Sequence, residues 1–345
     1  MKADKKRLAW ITIANVLACF GVVVLHVNID FWRYSNTPLW QLRNFIQSSF
    51  YWPVPIFFML SGATLLNYRK RYTTEAYLKK RFIKTVIPFM AWSILAFIWR
   101  VFVVSDMQFL GIRDFISNII NCNYNLNYWF FIPLFALYLS FPFLSAIRDD
   151  LKIRMYSYVA LISFLTISFF PTIFSLIDIK YNANIELPIA CGYIIYPLIG
   201  YIIANSTPSK KVRYLFYGLS IIGWLIRLFG VSILSNIDGE INTVFDGYTN
   251  FPAVLQSIGI LLFIKQVPWE KILREKVSTL QSIATNTFGV YLIHYFIIND
   301  IHSRGFYGDI SISLHIIEPF LVFGFCLGIS YLISKIPILK RIIGA

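Results

Sequence analysis

Long apolar runs alternate along this chain with short basic clusters. The first run, Ala9 to Val27, carries no Asp, Glu, Lys or Arg. At a rise of about 1.5 Å per residue, the segment from Leu8 to Asn28 extends ~30 Å, enough to cross the hydrocarbon core of a bilayer. Comparable runs follow at Phe45 to Leu66, Phe82 to Val104, Asn127 to Ile147, Tyr156 to Ile177 and Pro188 to Asn205. Four more lie at Tyr214 to Leu234, Asn250 to Ile264, Ser282 to Ile298 and Ile312 to Ser334. The pattern predicts an all-α, polytopic membrane bundle of about ten transmembrane helices, expected to form a single transmembrane domain over residues 1–345. The tetrad Val16 to Cys19 imitates a lipoprotein cleavage site, but the run continues unbroken to His26 and so reads as a retained helix.

Composition supports the membrane assignment. Hydrophobic residues make up 57% of the chain and charged residues only 14%, which excludes an ordinary soluble protein. The net charge of +14 does not point to nucleic acid, because the basic residues are dispersed in clusters between apolar runs. Lys2, Lys5, Lys6 and Arg7 precede the first run. Later clusters lie at Arg69 to Arg71, Arg148 to Arg154, Lys210 to Arg213, Lys265 to Lys276 and Lys335 to Arg341. Assigning all of them to the cytoplasm is self-consistent and puts both termini inside. They read as topology signals and contacts for membrane lipids. Cys19, Cys122, Cys191 and Cys326 show no metal-ligand spacing, and no metal is expected. A Cys122–Cys191 bridge on the outer side is one option.

With this topology His26, His294, His302 and His315 fall in the outer half or outer loops, together with Arg100, Arg227, Asp300, Arg304 and Glu318. Ionisable groups at such depth face a bundle interior or a watery cavity, and imidazole is suited to proton transfer near neutral pH. The competing reading is anchoring at the membrane interface, which suits His302 and Arg304.

Five pieces in order then carry a resemblance: VVLH from Val23 to His26, PIFFMLSG from Pro55 to Gly62, KKRFIK from Lys79 to Lys84 followed by Pro88, YWFF from Tyr128 to Phe131, and FGVYLIH from Phe288 to His294. The chain resembles the acyltransferase-3 family of bacterial membrane proteins, which includes the O-acetyltransferases of surface polysaccharide and enterobacterial common antigen. The resemblance implies a multi-pass protein of the bacterial cytoplasmic membrane. It would transfer an acyl group, usually acetyl, from cytoplasmic acetyl-CoA or another acyl-CoA to a hydroxyl of an envelope glycan or lipid-linked saccharide. In that reading His26 is the catalytic base or acyl relay, and His294 and Glu318 are further catalytic candidates, Glu318 orienting one of the histidines. Arg100 or Arg227 would stabilise the oxyanion on the acceptor side. Arg81 and Lys84, three residues apart on a cytoplasmic helix face, would meet CoA phosphates, and Ser61 would narrow an acyl channel or, with Gly62, let helices pack closely. Trp129 would stack on the acceptor sugar or sit in an interfacial belt.

One position departs from the family pattern, which carries Arg or Lys eleven residues before the first histidine; here it is Asn15. Another cation, Arg7 or one at the start of the third run, is expected to take over donor handling. A transporter or flippase of a lipid-linked glycan is the rival reading, although paired inverted repeats are not evident. Self-association into a homo-oligomer is left open.

Overall fold

The computed structural model describes residues 2–185, 187–273, 276–303 and 312–344; the side chains of 2–8, 183, 277–278, 302–303 and 312–315 are not among those described. Arg304 and the side chains of Arg7, His302 and His315 therefore lie outside the described residues. Among the described residues all regular structure is helical. In chain order the helices are α1 (Lys2–Val27), α2 (Pro38–Ser49), α3 (Pro53–Leu65), α4 (Thr74–Arg81), α5 (Ile87–Ile98), α6 (Ile112–Ile120), α7 (Phe131–Ser145) and α8 (Asp149–Ser163). They continue with α9 (Phe170–Leu176), α10 (Ile195–Asn205), α11 (Lys210–Asp238), α12 (Phe251–Gln266), α13 (Trp269–Leu273), α14 (Val277–Ser303) and α15 (Ile312–Ser334). Seven helical stretches among the described residues are long and apolar enough to cross a membrane, and the shorter stretches Gly192–Asn205 and Phe251–Gln266 are also apolar.

Prolines explain where these helices depart from simple runs. The second apolar run is not one helix from Phe45 to Leu66: α2 starts earlier, at Pro38, and stops at Ser49, and α3 begins with Pro53 in its first turn. In an unbroken helix the Pro53 ring would collide with the Ser49 carbonyl, and position 53 would offer no N–H. Elsewhere a wider turn accommodates the missing donor. Residues Phe82–Val86 form a π-turn ahead of Pro88, and Phe164–Phe169 form another ahead of Pro171.

The chain packs as two compact units, Met1–Asn67 with Ser145–Ala284, and Tyr68–Leu144 with Thr285–Ala345. In the first unit α3 crosses α10 at glycines. A Cβ on Gly62 would lie 1.9 Å from the Pro197 carbonyl oxygen, and one on Gly200 would lie 1.9 Å from that of Met59, so only glycine permits this approach. α11 lies along α12, tied by the Ser220 hydroxyl donating to the Gln256 carbonyl at 2.9 Å. An aromatic core of Phe31, Trp40, Phe245 and Phe251 closes around Val231, and the Trp40 indole donates to the Phe31 carbonyl at 2.9 Å. In the second unit the terminal turn Leu339–Ile343 packs on α5, where the Trp92 indole donates to the Ile342 carbonyl at 2.9 Å. All four cysteines are free thiols, so the Cys122–Cys191 bridge is not formed.

Candidate active site

α1 is a continuous α-helix, so residues eleven apart keep one face and are separated by about 16 Å along its axis. His26 stands half-buried in its last turn and Asn15 half-buried below it on that face. The Asn15 amide donates to the Ala284 carbonyl at 3.3 Å, a tie to the beginning of α14. Beyond His26, Asn28 is 4% exposed and donates through Nδ2 to the Arg43 carbonyl at 2.9 Å and to Gln47 Oε1 at 3.3 Å.

These contacts open a polar seam in the first unit. On α2, Asn44, Gln47 and Ser48 recur at intervals that share one helix face and are all buried. Asn44 donates to the Leu228 carbonyl at 2.9 Å, and Gln256 on α12 donates to the Ser48 carbonyl at 2.9 Å. Arg43 pairs with Asp30 at 3.1 Å. Three atoms of this seam, Asn28 Oδ1, Arg43 Nε and Gln256 Oε1, are buried without a hydrogen-bond partner, as are Tyr124 Oη and Asn125 Nδ2 in the second unit.

Arg227, near the middle of α11, is 1% exposed and engaged through both terminal nitrogens, while its Nε is buried without a hydrogen-bond partner. Its guanidinium forms an ion pair with Asp246, donates to the Phe245 carbonyl at 2.5 Å and lies 3.4 Å from the centre of the Tyr51 ring. Tyr51 in turn donates to the Asp246 carbonyl and stacks on Tyr248 at 4.3 Å. The loop after α11 is thus fastened to the break between α2 and α3. Ser61, also in this unit, donates within its own helix to the Phe58 carbonyl at 2.7 Å, beside the Gly62 crossing.

The second unit holds the remaining candidates. His294 on α14 is 0% exposed, its Nδ1 is 3.3 Å from the Val290 carbonyl, and its ring lies 5.6 Å from that of Tyr291. A proton on Nδ1 would satisfy that carbonyl and leave the lone pair on Nε2. Aromatic rings enclose this stretch: Tyr128 donates to the Leu292 carbonyl at 2.9 Å, and Tyr291 donates to the Asn127 carbonyl. Trp129 is half-buried beside Phe130, with the two rings nearly perpendicular. Arg100 pairs with Asp106 at 2.6 Å, and Glu318 is half-buried on α15 just before Pro319. Arg81 lies over Tyr138 at 5.6 Å, whereas Lys79, Lys80 and Lys84 are exposed around it.

Asn15, His26, Ser61 and Arg227 therefore belong to the first unit, and Arg81, Lys84, Arg100, Trp129, His294 and Glu318 to the second. Each candidate oxyanion cation already has its own carboxylate. The sequence reading did not pair Arg227 with Asp246, although an arginine in the middle of an apolar run demands a partner. It also missed the α2 seam, whose signal was the recurrence of amides and hydroxyls at one helical face. No group of three or more His, Cys, Asp or Glu among the described residues could hold a metal ion.

Comparison with known proteins adds one decisive finding: the acyltransferase-3 family, described as an acyltransferase domain, matches residues 8–335. No curated protein and no solved structure matches the chain. With nearly its whole length covered, from α1 to the end of α15, the chain belongs to the acyltransferase-3 family and is a membrane acyltransferase.

Proposed function

We propose that this protein moves an acetyl group from cytoplasmic acetyl-CoA to a hydroxyl of an extracytoplasmic glycan or lipid-linked sugar, with His26 as the base. The observation that carries the reading is the family match over residues 8–335, from α1 through α15; His26, in the last turn of α1, is the histidine that resembles the family's first-helix residue. The chemistry is balanced on one imidazole. His26 takes the proton of the sugar hydroxyl as its oxygen attacks the thioester carbonyl. The new C–O bond forms, the C–S bond breaks, and the imidazolium returns the proton to the CoA thiolate. A half-buried ring suits this role, since a base must both reach substrate and avoid bulk water.

The other residues take graded parts in the proposal. Lys84, with Arg81, Lys79 and Lys80, receives the CoA phosphates; three of these four are exposed and no acidic side chain lies between them in the chain. Arg227 acts as a positioning residue, because Asp246, the Phe245 carbonyl and the Tyr51 ring already engage it. Arg100 is likewise paired, with Asp106, and takes no part in the proposed step. His294 and Glu318 support the transfer, and Trp129 offers a ring to the acceptor sugar. Purified protein in lipid vesicles, given acetyl-labelled acetyl-CoA and a membrane saccharide fraction, is expected to release CoA and leave the label on saccharide as an alkali-labile ester. Saccharide crossing the bilayer with no ester formed would overturn the proposal in favour of a flippase.

A further inference from the structure

Helices α8, α10, α11 and α12 of the first unit bound a cleft of 560 Å³. Its walls are aliphatic and aromatic, with Leu161, Ile202, Phe216, Leu255 and Ile258 among them, and none of the residues assigned above to acyl transfer lines it. The lining follows α11 from Val212 to Leu219 and α12 from Val254 to Leu262. Eight residues of helix rise ~12 Å, close to the depth of one leaflet of a hydrocarbon core about 30 Å thick.

The character of the cleft changes at one end. There the lining becomes Ser206, Thr207 and Pro208, and the exposed Lys210 and Lys211 stand in the chain between the lining residues Pro208 and Val212. Lys265 comes to the same end and donates to the carbonyls of Ile203 and Ser206, the latter at 2.6 Å. An apolar slot about one leaflet deep, with Lys265 at one end and Lys210 and Lys211 adjacent in the chain, fits a long hydrocarbon chain that carries an anionic head. A sugar would leave its hydroxyls without partners on these walls, and an acetyl group would fill little of the volume. We propose that the cleft holds one acyl chain of an anionic glycerophospholipid, whose phosphate is met by Lys210 and Lys211.

The test uses the full-length protein carried through detergent exchange with phosphatidylglycerol or phosphatidylcholine and weighed intact by native mass spectrometry. Wild type is expected to retain one phosphatidylglycerol in preference to phosphatidylcholine. Ile202→Trp and Leu255→Trp, which fill the slot from different helices, should each abolish retention while size-exclusion profiles stay monodisperse. Lys210→Gln with Lys211→Gln should keep chain binding but reduce the preference for the anionic lipid, by about fivefold for each charge removed. The surface double variant does not disturb the core, so it decides the matter even if a tryptophan variant fails to fold. Equal retention of both lipids by wild type and by the lysine variant would overturn the proposal. So would displacement of the lipid by long-chain acyl-CoA at stoichiometric concentration, which would make the slot a donor-chain site.

Discussion

Next to their candidate histidines the two units bury polar groups by different chemistry, although tyrosines such as Tyr51 also serve the first and asparagines such as Asn118 the second. The first does so with amides and an ion pair: Asn28, Asn44, Gln47 and Gln256 bond to backbone and to one another, and Arg227 is neutralised by Asp246. The second does so with tyrosines, whose rings are apolar and whose single hydroxyls reach main-chain carbonyls at Leu292, Tyr138 and Asn127. The histidines follow the same division. His26 is partly exposed at the end of α1, next in the chain to the amide seam, whereas His294 is fully buried beside the Tyr291 ring. Buried polar atoms without a hydrogen-bond partner occur in both units, at Asn28 and Gln256 in the first and at Tyr124 and Asn125 in the second. The difference in exposure is the reason His26, and not His294, is proposed as the base.

The contrast can be broken most severely at Arg227. Asp246→Ala leaves a buried guanidinium without its counter-charge and should lower stability by about 3–5 kcal/mol, read as a large drop in thermal unfolding temperature in detergent. Arg227→Met combined with Asp246→Leu should recover most of that loss. A loss under about 1 kcal/mol for Asp246→Ala would show that the ion pair does not organise the first unit. In the second unit Tyr128→Phe removes one donor and keeps the ring, so the expected cost is only about 1 kcal/mol. A cost as large as that of Asp246→Ala would erase the distinction between the two ways of burying polarity.

A subtler change sharpens the assignment on α1. Asn15→Arg restores the family's cation on the face of His26 and should lower the KM for acyl-CoA by about threefold, the scale of a partly screened charge contact, with kcat unchanged. A change in which acyl chains are accepted, at unaltered KM, would instead mean that position 15 reads the chain and not the phosphates.

Much of this organisation was legible in the sequence. Apolar runs longer than a bilayer core located α1, α5, α7, α11 and α15, and short motifs in order identified the family, because both signals are local. The break at Pro53 was less legible: a proline in an apolar run is compatible with either a kink or a restart, and packing decides. Least legible were the partners. Arg227 and Asp246 are nineteen residues apart in sequence, on a helix and in the loop that follows it, and nothing in periodicity links them. Asn15 shows the same limit, for its tie to Ala284 crosses most of the chain and explains how an asparagine is held there in place of a charge.

In the proposed function one imidazole, at the end of α1, carries the proton in acyl transfer. The most direct measurement of that role compares wild type with His26→Ala for CoA release from labelled acetyl-CoA in the presence of acceptor, at matched thermal stability. A fall of about 10²–10⁴-fold is expected in His26→Ala, the range set by loss of a general base. Equal release by the two proteins would contradict it.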